Sequence, residues 1–269
     1  MIFEFLEYLT TDCPRYARRL GYLKEAIAIR ARQGRLGAAW EPHLENSKEV
    51  IREAMERCDR RRTALVLGSG LLLDIPLDSL AGTFETVRLV DVVHLRPARR
   101  QASAYPNVVL ETQDVSGMAA DFQQRYREGW RGHPVPAPTA FLDDSQIDLL
   151  VSANLMAQLP IFPAAMLVRR GVLDGDAFDR FCRAVMQAHL DYLRSFDATV
   201  CLITETRREA LDRAGNSVQA HDALYGIRLP KGGREWNWDL APLGEVSRDH
   251  TLRNRVVGFC DISAQADSV

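Results

Sequence analysis

The sequence lacks the features that mark secreted, membrane-spanning or nucleic-acid-binding proteins. Its five cysteines are scattered and never form a C-x-x-C pair, so neither a disulfide framework nor a structural zinc site is predicted. No apolar run approaches the roughly 18 residues of a membrane helix, and the N-terminal segment has no basic region typical of a signal peptide. Lysine and arginine total 34 against 36 acidic residues, which disfavours nucleic acid as a partner. We expect a cytoplasmic protein that binds no metal, is not inserted in a membrane and acts on a small molecule.

Short apolar segments alternate with helical stretches from Thr63 onward. Five such segments are predicted to be strands, over 64–67, 87–93, 108–110, 147–151 and 199–204. They are nearly all apolar, as parallel strands are when helices cover both faces of the sheet. The sequence therefore predicts an α/β fold with a mostly parallel sheet flanked by helices.

The first 62 residues are predicted to form a helical N-terminal cap, ahead of a larger domain over 63–269. Helical spacing of apolar residues predicts one helix near 20–29 and a second over 44–60. The basic run over 60–62 marks the boundary between the two parts.

Three further elements are predicted later in the chain. A helix over 118–126 and a surface connection over 133–138, which contains three prolines, precede the fourth strand. A closing pair of strands is predicted near 243–246 and 256–262. No internal repeat is present, and the sequence makes no prediction of the oligomeric state.

A glycine-containing turn and two acids follow the first three predicted strands. Gly68-Ser69-Gly70 comes directly after the first strand, where glycine permits positive φ and close approach of a ligand to the backbone. Asp91 ends the second strand, 91 − 70 = 21 residues after Gly70, a spacing typical of an acid that binds ribose hydroxyls. Asp114 and Val115 follow the third strand, where they are suited to an adenine amino group and its ring. A turn without a ligand and simple helix caps remain the alternatives.

This ordered series resembles the class I S-adenosylmethionine-dependent methyltransferases over roughly 63–262. The resemblance implies a Rossmann-like cofactor-binding and catalytic domain with S-adenosylmethionine as its cofactor. It also implies that the loop at Gly68, Ser69 and Gly70 binds the methionine part, Asp91 the ribose, and Asp114 with Val115 the adenine. The predicted C-terminal strand pair matches the antiparallel addition of that family.

Two residues of the loop depart from the pattern of the family. Val66 stands where the family has an acid, and Leu72 stands where it has a third glycine. The missing acid leaves the ammonium group of the methionine part without one usual partner. Asp74 either replaces that acid or caps the short helix near Pro76.

The fourth strand ends at the position that faces the transferred methyl group in the resembled family. Asn154 is therefore the first candidate for contact with the methyl acceptor, and Gln158 lies in the same loop or is solvated. His221 is predicted as the catalytic base, with three further candidates, His43, His94 and Glu205. Tryptophans either wall the acceptor pocket or cover core edges, namely Trp40, Trp236 and Trp238.

Methyl transfer to an oxygen or nitrogen of a small molecule is the function that the sequence favours. The family's Asp/Asn-Pro-Pro-aromatic signature is missing, so chemistry on nucleobase amines is not indicated. Two alternatives stay open: an NAD-dependent oxidoreductase, because Gly68-Ser69-Gly70 with Asp91 also suits a dinucleotide, and a noncatalytic binding module that keeps the scaffold.

Overall fold

A computed structural model describes residues 2–118 and 137–263. Eight strands form one sheet: β1 (Thr63–Leu67), β2 (Thr86–Asp91), β3 (Val108–Thr112), β4 (Ile147–Ala153), β5 (Thr199–Leu211), β6 (Ser217–Asp222), β7 (Arg234–Ala241) and β8 (Thr251–Phe259). Their order is β3-β2-β1-β4-β5-β8-β7, with β6 paired to β5 outside this path. Strands β1 to β5 pair in parallel, and β6, β7 and β8 are antiparallel to their neighbours.

Seven described helices flank this sheet: α1 (Ile2–Thr10), α2 (Arg15–Leu20), α3 (Tyr22–Glu56), α4 (Leu77–Thr83), α5 (Arg96–Ala102), α6 (Ile161–Arg169) and α7 (Gly175–Arg194). A 3₁₀ turn over Met156–Gln158 follows β4. The parallel β1–β5 set and its flanking helices confirm the predicted Rossmann-like α/β fold.

Strand β1 lies between β2 and β4, so the order of the parallel strands reverses there. In open α/β sheets of this kind, ligands bind outside the carboxyl ends of the strands at the point of reversal. The antiparallel pair β8-β7 extends the sheet beyond β5, as the resemblance to class I methyltransferases implies. The topology thus points to the ends of β1 and β4 as the place for a ligand site.

Helix α3 corrects the prediction of two separate N-terminal helices. It is one helix of 35 residues with Pro42 inside it. Its C-terminal half packs through Val50 and Ile51 in the same buried cluster as Val66 of β1. Arg62 pairs with Asp148 at the base of β4, next to the predicted boundary at 60–62. Helices α6 and α7 pack on the other face of the sheet, where Leu167 and Val185 share a cluster with Leu150.

The C-terminal strand pair lies partly elsewhere than predicted. Strand β8 covers most of the predicted 256–262, but its partner is β7, which carries Trp236 and Trp238, whereas residues 243–246 form the turn between β7 and β8. Strand β6 was not predicted, because all six of its residues are exposed and give no apolar pattern.

The predicted helix over 118–126 and most of the predicted connection over 133–138 lie outside the described residues. Within the described ranges, no helix has both the length and the apolar character needed to cross a membrane. The same ranges contain no group of three or more histidine, cysteine and acidic side chains that could hold a metal ion.

Candidate functional site

A cavity of about 220 Å³ opens at the carboxyl ends of β1 to β4. Its floor comes from the loops after these strands: Gly68, Gly70, Leu71, Leu73, Asp74, Asp91, Gln113, Asp114, Val115 and Asn154. Helix α3 forms the opposite wall with Tyr22, Glu25, Ala26, Ile29, Trp40, His43 and Leu44. These positions recur at helical intervals and therefore lie on one face of α3. They form two groups, over 22–29 and 40–44, whose outermost residues are about 33 Å apart along the helix axis at roughly 1.5 Å per residue.

The glycine turn after β1 packs closely against β4 and forms hydrogen bonds with β2. Gly68 has a φ of +77°, and a Cβ there would lie 2.9 Å from the carbonyl oxygen of Ala153. The backbone N–H groups of Gly68 and Ser69 both donate to Val90 O, at 2.9 and 3.1 Å. The Ser69 side chain is buried and does not line the cavity. The predicted role of Ser69 in ligand contact is therefore not supported by its position.

Leu72 adopts the conformation that a third glycine would take. Its φ is +61°, in the left-handed region, and its side chain is buried. Its N–H donates to Ser69 O at 2.9 Å, which closes the turn. The loop therefore keeps a glycine-like backbone at this position although the residue is leucine.

Asp91 ties the glycine turn to the end of β2. Its Oδ2 accepts from the Gly70 N–H at 2.8 Å, and its Oδ1 accepts from the Val93 N–H at 3.3 Å. Burial raises the pKa of this carboxyl group, an effect that the hydrogen bond from Gly70 partly offsets. Each carboxylate oxygen can accept a further hydrogen bond. Asp91 thus lies in the cavity wall as an acceptor for hydroxyl donors.

Asp114 and Val115 lie in the cavity wall beyond β3. Asp114 Oδ1 accepts from the Ser116 N–H at 3.0 Å and from the Ser116 hydroxyl at 2.6 Å. Asp114 therefore stabilises its own turn while it also borders the cavity; the helix over 118–126 that it was predicted to cap lies outside the described residues. Val115 is buried and provides an apolar surface beside it.

Asp74 and Asn154 meet across the cavity floor. Asn154 Nδ2 donates to Asp74 Oδ2 at 2.7 Å, and no side chain caps α4, whose N-cap is Pro76. Burial is the main cause of a raised pKa at Asp74. The two alternatives for Asp74 are thereby separated: it borders the cavity and does not cap the helix.

Asn154 itself is held in an unusual position. Its φ is +49°, and its N–H donates to Ile203 O at 2.9 Å. The side chain is 8% exposed, and its Oδ1 has no hydrogen-bond partner among the described residues. A buried oxygen of this kind is available to a donor on a bound molecule. Gln158 also lines the cavity.

His43, Trp40 and Trp238 line the cavity, whereas Trp236 contacts His43 without lining it. Trp236 Nε1 donates to His43 Nδ1 at 3.0 Å, and Trp238 stacks on the His43 ring with centroids 4.1 Å apart. Trp40 meets Trp238 edge-on at 5.4 Å. Burial lowers the pKa of His43 to about 3. The helical spacing from Tyr22 to Leu44 was the sequence signal for this wall, but the two-helix prediction divided it.

The remaining candidate bases, His221, His94 and Glu205, are not among the residues that line the cavity. His221 is exposed on β6, with its Nε2 2.8 Å from Gln219 Nε2. It does not line the cavity, since β6 pairs with the carboxyl-terminal part of β5 beyond the parallel sheet, and its role as catalytic base stays a prediction. His94 is buried, with its Nε2 3.0 Å from Glu111 O. Glu205 pairs with Arg208 at 2.7 Å.

No protein-family model and no curated protein matches this sequence. Solved structures do match. The chain is 15% identical to a DhpI–SAM–HEP complex, with 91% of this chain and 99% of that chain covered and a TM-score of 0.38. It is 12% identical to the N-methyltransferase NodS from Bradyrhizobium japonicum WM9 in complex with S-adenosyl-L-homocysteine, with coverages of 79% and 85% and a TM-score of 0.34.

A third match is the Burkholderia thailandensis 1,6-didemethyltoxoflavin-N1-methyltransferase with bound 1,6-didemethyltoxoflavin and S-adenosylhomocysteine. Identity is 12%, coverage is 86% of this chain and 88% of that chain, and the TM-score is 0.33. At this level of similarity we base the functional proposal on the residues of the cavity.

Proposed function

We propose that this protein is an S-adenosylmethionine-dependent methyltransferase whose acceptor is an oxygen or nitrogen atom of a small molecule. The observation that carries the proposal is the convergence of Gly70, Asp91, Asp114, Asp74 and Asn154 on one cavity at the ends of β1 to β4. These residues come from the carboxyl ends of four strands, with Gly70 and Asp74 both in the loop after β1, and the sheet brings them together.

The residues of the cavity fit the chemistry of this cofactor. Asp91 and Asp114 are acceptors suited to ribose hydroxyls and an adenine amino group, and Val115 offers an apolar surface to the ring. Asp74 is suited to the ammonium group, because a nearby cation would offset the burial that raises its pKa. The carboxylate that the glycine loop lacks at Val66 is thus supplied from the following turn.

The cofactor supplies an electrophilic methyl group. Gly70, Asp74, Asp91 and Asp114 would hold the cofactor, and a lone pair of the acceptor would take the methyl group while the sulfur keeps the electron pair of the broken bond. The proton of the acceptor would pass to solvent when the products leave the cavity. Asn154 Oδ1 accepts a hydrogen bond from the acceptor's O–H or N–H and so orients the lone pair. Helix α3 covers the cavity and excludes water from the reacting atoms.

Calorimetric titration tests this proposal with S-adenosylhomocysteine, 5′-methylthioadenosine and NADH. Asp91→Ala is expected to weaken the binding of S-adenosylhomocysteine and of 5′-methylthioadenosine at least tenfold, because both nucleosides carry the ribose. Asp74→Asn is expected to weaken S-adenosylhomocysteine at least fivefold and to leave 5′-methylthioadenosine within twofold, because the latter lacks the amino-acid group. Asp143→Ala removes an exposed acid outside the cavity and is the matched control.

The outcomes separate the candidate functions. If NADH binds and neither S-adenosylhomocysteine nor 5′-methylthioadenosine does, the oxidoreductase is favoured. Unchanged affinity in Asp91→Ala would remove the main support for the proposal. Binding of S-adenosylmethionine with no turnover across a panel of amines, phenols and alcohols would favour the noncatalytic module.

A further inference from the structure

The His43 ring is fixed in one tautomer by its neighbours. An indole N–H can only donate, so Trp236 Nε1, 3.0 Å away, requires His43 Nδ1 to be unprotonated. Burial favours the neutral ring. A neutral imidazole whose Nδ1 accepts carries its proton on Nε2. His43 therefore presents an N–H donor at Nε2 and has no free lone pair with which to act as a base.

That donor lies beside a second one. His43 Nε2 is 3.5 Å from Asn154 Nδ2, and Asn154 Nδ2 donates to Asp74. Two N–H groups at this separation cannot bond to each other, since neither nitrogen offers a lone pair. Both side chains are more than nine-tenths buried, with exposures of 2% and 8%, and both line the cavity. A buried N–H without an acceptor is energetically unfavourable, so this position is suited to an oxygen or nitrogen lone pair of a bound molecule.

The charges of the cavity restrict that molecule further. The described lining residues include four carboxylates, Glu25, Asp74, Asp91 and Asp114, and no lysine or arginine. An anion in the cavity would be repelled by these carboxylates, and no lysine or arginine among the described lining residues would neutralise its charge. A cationic group would be attracted by these carboxylates, but at the His43 position it would meet an N–H donor, which has no lone pair to offer it. The rings of Trp40 and Trp238 border the same end of the cavity and suit a flat molecule.

We propose, as a refinement that rests on the proposed function, that His43 is a specificity-determining hydrogen-bond donor. It holds an uncharged, planar methyl acceptor through a carbonyl or another lone-pair atom, while Asn154 Oδ1 takes a hydrogen bond from the same molecule. His43 is thus a positioning residue and not the base of the reaction.

Nitrogen-15 NMR of histidine-labelled protein tests the tautomer directly, with His43→Gln used to assign the signal. We expect the neutral Nε2–H form from pH 8 down to pH 5. Trp236→Phe removes the donor to Nδ1 and should populate the Nδ1–H form. Trp238→Phe keeps a stacked ring and the Trp236 bond, so it should leave the Nε2–H form unchanged. An Nδ1–H form in the unmodified protein, or a protonation midpoint above pH 5, would overturn the assignment.

Three fragments of nearly equal shape test the charge selection. Benzamide is uncharged with both a carbonyl and an N–H group, benzoate is an anion and benzamidine is a cation. In protein saturated with S-adenosylhomocysteine, benzamide should shift the His43 signal saturably and bind at least fivefold more tightly than the other two. His43→Phe should weaken benzamide at least fivefold, and His43→Gln, which restores an N–H donor, should stay within twofold to threefold. Tighter binding of benzoate or benzamidine, or no saturable shift with benzamide, would overturn the proposal.

Failure of the proposed function is distinguishable from failure of this inference. If S-adenosylhomocysteine binds and benzamide does not, the cofactor assignment stands and the acceptor class is wrong. If S-adenosylhomocysteine does not bind, the methyltransferase proposal fails whatever the tautomer of His43.

Discussion

Asp74 is a buried carboxyl group whose ionised form lowers the stability of the fold. Such a cost is expected of a residue that binds a ligand and not of one with a purely structural role. Burial raises its pKa above the ordinary value of 3.8. The folded state therefore binds a proton at Asp74 more readily than the unfolded state does. Stability from this group is fully present below pH 3.8 and is lost as the pH rises through the folded-state pKa. At neutral pH the ionised carboxylate destabilises the fold.

We accordingly predict that Asp74→Asn raises the free energy of unfolding at pH 7. The asparagine oxygen can still accept from Asn154 Nδ2, so the hydrogen bond is retained while the buried charge is removed. The gain should shrink as the pH is lowered toward 3.8. Urea unfolding at pH 7, 6 and 5 measures this. A destabilised variant, or a gain that grows on acidification, would contradict the assignment of a raised pKa.

Individual residues differ in how far their roles could be predicted from the sequence. Asp91 and Asn154 follow apolar strands directly, so their position at the sheet edge follows from topology alone. Two features of the glycine turn could not be predicted, because they depend on how β1 packs against its neighbours. These are the left-handed φ of Leu72 and the hydrogen bonds that the Gly68 and Ser69 N–H groups donate to Val90 O. The Trp236–His43 bond joins positions 193 residues apart, and no local pattern encodes such a contact.

Helix α3 is the element that joins the two ends of the cavity. Its N-terminal part, at Tyr22 and Glu25, borders the same cavity as its later residues Trp40 and His43. Gly34 and Gly37 lie between these parts, in the helix interior. Glycine lowers helix stability there, although the two-helix prediction itself rested on the apolar spacing near 20–29 and over 44–60. The structure shows one helix, in which the two glycines lie between the two groups of residues that line the cavity.

Alanine at these glycines should therefore stabilise the helix. A Cβ at Gly34 would meet nothing within 4 Å, and one at Gly37 would be 3.7 Å from the Gln33 side chain. We expect Gly34→Ala and Gly37→Ala each to add about 0.5–1 kcal/mol. Hydrogen exchange over 30–39 should slow, and the urea midpoint should rise.

Gly68→Ala is the control of opposite sign for this pair. Its new Cβ would lie 2.9 Å from Ala153 O, and its φ of +77° disfavours any other residue. It should destabilise the fold. If exchange over 30–39 is unaffected by alanine at Gly34, the continuous helix proposed for this stretch is wrong.

The buried core includes residues from the segment over 1–62, which the sequence assigned to a separate N-terminal cap. The sequence correctly predicted the positions of five parallel strands, since each is a short apolar run. Strand β6 was not predicted, because its residues are all exposed and it has no apolar face. The boundary at 62 separates helix from strand, but it does not separate two cores. Val50, Ile51, Ala54 and Met55 of α3 lie in the same buried cluster as residues of β1, β2 and β4.

Removal of residues 1–62 should therefore unfold the remainder. A fully buried Val, Ile or Met side chain contributes about 1.5–3 kcal/mol. The loss of Val50, Ile51 and Met55 alone therefore removes an amount comparable to the roughly 5–15 kcal/mol that stabilises a typical domain. Deletion of residues 1–10 is the matched control, because Phe5, Leu6 and Leu9 of α1 are each at least half exposed and their loss should change stability little. Near-ultraviolet circular dichroism and urea unfolding of both truncated chains provide the measurement. A cooperative unfolding transition in 63–269 alone would show that the larger domain has a complete core, and that α3 serves only to cover the cavity.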